Sequence, residues 1–121
     1  MSDMLSAAVS ALDSYGTGMQ VIAHNVANIN TDEFQASRIH YGDMPNGGVR
    51  VEDIRQDTAA GDMGAGRTLE AESAEEARTA SNVQIERELT EAMTTEQAYT
   101  ANAAVARTYE DMLGTVIDMV V

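Results

Sequence analysis

The sequence predicts a mainly α protein. Long N- and C-terminal helices pair antiparallel as a coiled-coil-like unit, and a short Gly-rich insert containing β structure lies between them. Three observations carry this. Apolar residues recur every seven positions across residues 3–29. A second stripe, spaced by threes and fours, runs from Ile85 to Val120. Between the stripes, Pro45, Gly47, Gly48, Gly61, Gly64 and Gly66 punctuate the chain as turns and loops do. The parts are residues 1–39 (helix and Asn-rich turn), 40–69 (insert) and 70–121 (second helix). At 121 residues they form a single structural domain.

In the first helix, Leu5, Leu12, Met19 and Val26 make one seam, and Ala8, Tyr15, Ile22 and Ile29 make the other. A repeat of 3.5 residues is that of a coiled coil. Ser2 or Asp3 offers the N-cap. Gly16 and Gly18 each weaken the helix by roughly 1 kcal/mol relative to Ala, so it needs a partner. Asn28, Asn30 and Asp32 then stop it, because their side chains bond the local backbone and tolerate left-handed conformations.

In the insert, Val49 to Ile54 partly alternates apolar and polar residues, as a short strand does. A loop at 57–66 and a second short strand near Arg67 to Leu69 complete it. Beyond it, Glu70 to Arg78 has helix propensity but almost no apolar face. Ser81 or Asn82 offers a cap for the last helix, which runs to about Met119. Its seam is Ile85, Leu89, Ala92, Tyr99, Ala103, Ala106, Leu113, Ile117 and Val120. Val105, Met112, Val116, Met119 and Val121 fall off that seam and predict a second contact surface.

Composition narrows the function. Acidic residues number 20 against 7 basic ones, all Arg, for a formal charge of −13. Phosphate backbones and anionic membranes are therefore disfavoured partners. The absence of Cys excludes thiolate nucleophiles and Cys-ligated metals. His24 and His40 are not at a ligand spacing. Neither a phosphate-cradling glycine pattern nor a nucleophile elbow is present. The expectation is a non-enzymatic protein with no cofactor, metal, nucleic acid or small-molecule substrate. No stretch approaches the roughly 20 apolar residues of a membrane span, and the N-terminus lacks the basic and apolar regions of a cleaved signal.

Three ordered segments resemble the bacterial flagellar rod and hook proteins. The first runs from Asn25 to Arg38, where Asn25-Val26-Ala27-Asn28-Ile29-Asn30-Thr31 and the aromatic Phe34 match the Asn-rich turn after those proteins' first helix. Glu33 stands where Gly is usual and Gln35 where Lys is usual. The second, Gly48 to Thr58, is similar to their Gly-Val-x-Val strand and Asp-Thr turn. The third joins Ser81-Asn82-Val83, Ala98-Tyr99-Thr100-Ala101-Asn102 and Met112-Leu113, as in their C-terminal helix. The short insert is that of a small proximal-rod type or a divergent paralogue.

The resemblance implies a structural subunit of the flagellar basal-body rod. Such a subunit passes through the flagellar type III export apparatus without signal cleavage. It assembles helically in the periplasmic rod with other rod and hook–basal-body proteins, and transmits torque. The family signature turn is Asn25, Asn28, Asn30, Thr31 and Phe34. Axial packing is expected from Leu5, Leu12, Met19, Ile22 and Val26 against Ile85, Leu89, Tyr99, Ala103, Ala106, Leu113 and Ile117. The rival reading is a cytoplasmic acidic helical chaperone or adaptor for exported flagellar proteins, for which the Asn-rich turn and strand have no use.

Overall fold

A computed structural model of the chain describes residues 2–58 and 81–121. Four elements occur in order: α1 (Ser2–Ala27), β1 (Ser37–Asp43), β2 (Val49–Gln56) and α2 (Ile85–Val120). The two long helices pack on each other, and the antiparallel β1–β2 hairpin packs on α1. The expected loop, the strand near Arg67 to Leu69 and the Glu70–Arg78 stretch lie outside the described residues.

The helices run antiparallel in seven-residue steps. Asn25, late in α1, meets Glu88, early in α2. One heptad back, Gly18 lies against Thr95: a methyl built on Gly18 would sit 3.7 Å from the Thr95 side chain. Extended by the same step, the register predicts Ala11 opposite Asn102 and Met4 opposite Tyr109. Continued, it carries the last turns of α2 past the level of Ser2. Every residue from Glu110 to Val121 is exposed. At 1.5 Å per residue, the 36 residues of α2 span about 54 Å.

The face that α1 buries differs from the expected one by a single position. Ala8, Ala11, Ser14, Gly18, Ile22 and Asn25 are buried. Ala8 and Ile22 were on an expected seam, and Tyr15 between them is half-buried. The other expected seam lies to one side, with Leu5 and Leu12 half-buried and Met19 and Val26 exposed. Its place is taken by Ala11, Gly18 and Asn25. The reason is steric. The hairpin and α2 both crowd this face, and only small side chains allow two neighbours to come so close.

Two glycines show how tight the approach is. A methyl on Gly18 would collide with the Tyr41 hydroxyl of β1, and one on Gly48 would collide with Ser10 Oγ. Where the hairpin meets α1, Ser14 Oγ donates to the Val49 carbonyl at 2.9 Å, and Ser10 Oγ accepts from the Val49 amide at 3.3 Å. The strand expected over Val49–Ile54 is present, and its partner is Ser37–Asp43, which crosses the expected boundary at residue 39 between the Asn-rich turn and the insert. The register shifts between His40 and Tyr41, so Glu52 is left as an extra residue in β2. At the hairpin tip, Gly47 N–H donates to the Met44 carbonyl at 3.0 Å, with Pro45 and Asn46 at the corner.

After α1 the chain descends through short turns. The amides of Asn28, Ile29, Thr31 and Phe34 donate to the carbonyls three residues before them. Glu33 adopts φ 61°, the only positive φ outside glycine among the described residues. The cap expected for α2 differs. The helix starts at Ile85, and Gln84 at the N-cap makes no side-chain capping bond. Ser81 Oγ accepts from the Val83 amide, two residues short of the helix. Asn82 bonds elsewhere.

Candidate functional site: a polar lock and an outward apolar face

Beneath the helix pair lies a connected set of polar side chains that joins α1, β1 and α2. Asn25 is fully buried. Its Oδ1 accepts from the Ser37 amide at 2.8 Å, and its Nδ2 donates to the Ser37 carbonyl at 2.8 Å and to Glu88 Oε2 at 3.1 Å. Glu88, also fully buried, receives Arg38 on its other oxygen. Arg38 lies 3.5 Å from a Glu91 oxygen and 4.0 Å from Asp57. Arg87 also reaches Glu91, at 3.1 Å, and Asp57, at 3.8 Å. A buried carboxylate is tolerable only when paired and hydrogen-bonded, and Glu88 is both.

Asn82 extends the set to the approach of α2. Its Oδ1 accepts from the Ala36 amide at 2.6 Å, and its Nδ2 donates to the Asp57 carbonyl at 2.6 Å. Its own amide donates to the Phe34 carbonyl at 3.2 Å. Ala36 is fully buried. Thus Asn82 fastens the two ends of the hairpin to the start of the C-terminal segment, which is a different task from capping a helix.

The signature turn divides into inner and outer residues. Asn25 is inside. Asn28 is half-buried and donates to the His24 carbonyl at 2.8 Å. Thr31 Oγ1 donates to Asn28 Oδ1 at 3.1 Å, and Thr31 and Asn30 are both exposed. Phe34 packs edge-on against the His24 ring at 5.5 Å. The Tyr41 ring lies 5.3 Å from that of Tyr15, tilted by 59°, and close to α2. Burial, then the neighbouring Tyr15 phenol and the Glu91 carboxylate, push the Tyr41 phenol above its usual range.

The expected packing residues of α2 stand mostly outward. Ala103 and Ala106 are half-buried. Ile85, Leu89, Tyr99, Leu113 and Ile117 are exposed, Leu89 at 59 % and Ile117 at 61 %. The less exposed residues of α2 are Glu88, Glu91, Ala92, Thr95, Ala98, Asn102, Ala103, Ala106 and Tyr109, so only the alanines of the expected stripe lie on this side. Its polar members explain the difference. A search for apolar periodicity passes over Glu88, Thr95 and Asn102, although these keep a strict seven-residue step that ends on Tyr109. Arg38 carried no signal of its own beyond being a single cation between acidic segments.

The outward residues form an apolar surface that grows towards the C-terminal end. Tyr109, Met112, Leu113 and Val116 line a narrow crevice there. Met93, Glu96, Gln97, Thr100, Ala101 and Ala104 line a shallow, open groove further back. Among the described residues no group of three or more His, Asp or Glu is placed to hold a metal ion. Among them, too, no helix is long and apolar enough to cross a membrane.

A search of curated proteins found no match. Residues 77–119 do match a family model, described as Flagellar basal body rod FlgEFG protein C-terminal. The match covers α2 almost to its end and includes Asn82, Glu88 and the outward apolar residues up to Met119. Members of this family are structural proteins, not enzymes. Residues 77–119 of this chain are therefore similar to the C-terminal domain of flagellar basal body rod proteins.

Proposed function

We propose that this chain is a structural subunit of the basal-body rod, and that it self-assembles helically through its terminal helices into the torque-transmitting axis. The observation that carries the reading is the last part of α2. Met112, Leu113, Val116, Ile117, Met119, Val120 and Val121 are all exposed on a helix that extends past the level of α1. Burying such side chains against other subunits supplies about 25 cal/mol per Å² of apolar surface. A repeated contact that does not close on itself builds a filament. In this reading Leu89, Tyr99, Leu113 and Ile117 pack between subunits rather than within one. Thioethers at Met112 and Met119 adapt to inequivalent neighbours.

The partners are other rod and hook–basal-body proteins, with the flagellar type III export apparatus met on the way to the periplasm. The test is a deletion strain complemented with Leu113→Asp or Ile117→Asp and imaged for basal bodies. The expected result is a secreted, folded protein, arrest before rod completion and loss of swimming. Normal swimming would overturn the proposal. Recovery of the wild-type protein solely as a soluble cytosolic dimer would instead favour the acidic helical chaperone or adaptor.

A further inference from the structure

We propose that Glu88 is the residue that sets the register of the two long helices, acting through Asn25 and Arg38. The reason lies in what the rest of the interface lacks. Most of the less exposed residues along the two helices are small, Ala8, Ala11, Ser14 and Gly18 on α1 and Ala92, Thr95, Ala98 and Ala106 on α2, with Ile22 and Tyr109 the large apolar side chains buried among them. Small side chains facing small side chains leave shallow knobs and holes, which discriminate poorly between registers one heptad apart. Such a slide moves α2 by about 10 Å.

One direction of slide is favoured by apolar burial. Drawing the C-terminal end of α2 back along α1 would set Val116 opposite Met4 and Tyr109 opposite Ala11. Residues now exposed at 52 % and 55 %, Val116 and Met4, would then cover each other. The polar set opposes this. The slide would bring Thr95 to Asn25 and carry Glu88 beyond the end of α1 at Ala27, away from the Asn25 amide and the Arg38 guanidinium. Asn25 and Arg38 are fixed by other bonds, to Ser37 in one case and to Glu91 and Asp57 in the other. Glu88 is thus the movable half of the lock. Asn82 fastens the residues before α2, not the helix itself. A buried polar group that fixes register in a helix pair is the best-attested use of such groups. The register in turn decides how much of α2 is left uncovered. The inference does not depend on what that uncovered part binds.

The chain contains no Cys, so introduced pairs report alone. Ala11→Cys with Asn102→Cys reads the present register, and Met4→Cys with Val116→Cys reads the slipped one. Both pairs are oxidised in dilute full-length protein, and intramolecular cross-links are counted. In the otherwise unaltered sequence only the first pair should close. In Glu88→Leu, which leaves Asn25 bonded to Ser37 and Arg38 paired with Glu91 and Asp57, the slipped cross-link should rise by about tenfold or more while helicity is kept. Glu88→Gln keeps an acceptor for Asn25 and should hold the present register. Three outcomes would overturn the proposal. In the first, Glu88→Leu closes only the Ala11–Asn102 pair. In the second, it loses helicity and both cross-links, which would make Glu88 a stabiliser without a register role. In the third, Glu88→Gln slips as far as Glu88→Leu.

Discussion

Asn25 and Glu88 stand 63 residues apart in sequence and meet in the interior, with Asn25 Nδ2 3.1 Å from Glu88 Oε2. The contact joins the end of the first helix to the start of the second, at the level where β1 begins. Both side chains are fully buried, so neither can exchange its partner for water.

Asn25→Ala removes three hydrogen bonds at once, two to the Ser37 backbone and one to Glu88. It should cost about 2–4 kcal/mol, most of it from the buried groups left without partners. Urea denaturation followed by helix circular dichroism measures it. A loss below about 0.5 kcal/mol would contradict the buried geometry.

Gly18 and Tyr41 form a coupled pair, because a methyl on Gly18 meets the Tyr41 hydroxyl first. Gly18→Ala alone should destabilise, despite a helix-propensity gain of about 1 kcal/mol. In a Tyr41→Phe background the hydroxyl is gone, and the same substitution should become neutral or stabilising. A double-mutant cycle gives the interaction energy directly.

Tyr41→Phe by itself should cost little. The Tyr41 hydroxyl is buried and has no hydrogen-bond partner among the described residues, so its removal relieves about as much desolvation as it loses in contact. Alkaline titration supplies an independent check. A phenol whose value is raised on folding favours the neutral form in the native state. Its contribution to stability is present below the ordinary tyrosine value near 10 and is lost as pH rises through the raised native value. Absorbance at 295 nm should therefore show a late-ionising tyrosine that Tyr41→Phe abolishes.

Glu33 holds φ 61° in the turn after α1. For a residue with a Cβ this left-handed conformation costs about 1–2 kcal/mol, part of which Gly recovers. Glu33→Gly should raise the thermal midpoint, and Glu33→Val should lower it, since β-branching is tolerated least there. A scan by differential calorimetry distinguishes them.

Much of the architecture was legible in the residues. The heptad of α1, the Asn-rich stop, the Pro45–Gly48 turn and the long final helix all follow from periodicity and from backbone preferences that act within a few residues. The phase of each helix was not legible in the same way. Ala11, Gly18 and Asn25 occupy the buried stripe where Leu12, Met19 and Val26 had the stronger apolar claim, and Glu88, Thr95 and Asn102 do the same on α2. Hydrophobic pattern reports which side chains avoid water, and here part of that demand is not met between α1 and α2.

What the sequence alone determined is local: where helices run and stop, where the chain turns, and that both helices carry repeating stripes. Which positions face inward was decided by the tertiary structure. The hairpin and α2 converge on one side of α1, and along most of it, at Ala8, Ala11, Ser14 and Gly18, small side chains leave room for both. The polar residues brought together there, Asn25, Arg38 and Glu88, come from three separate elements. Their partnership exists only once those elements have met, because a buried charge is held by neighbours that no spacing along the chain announces.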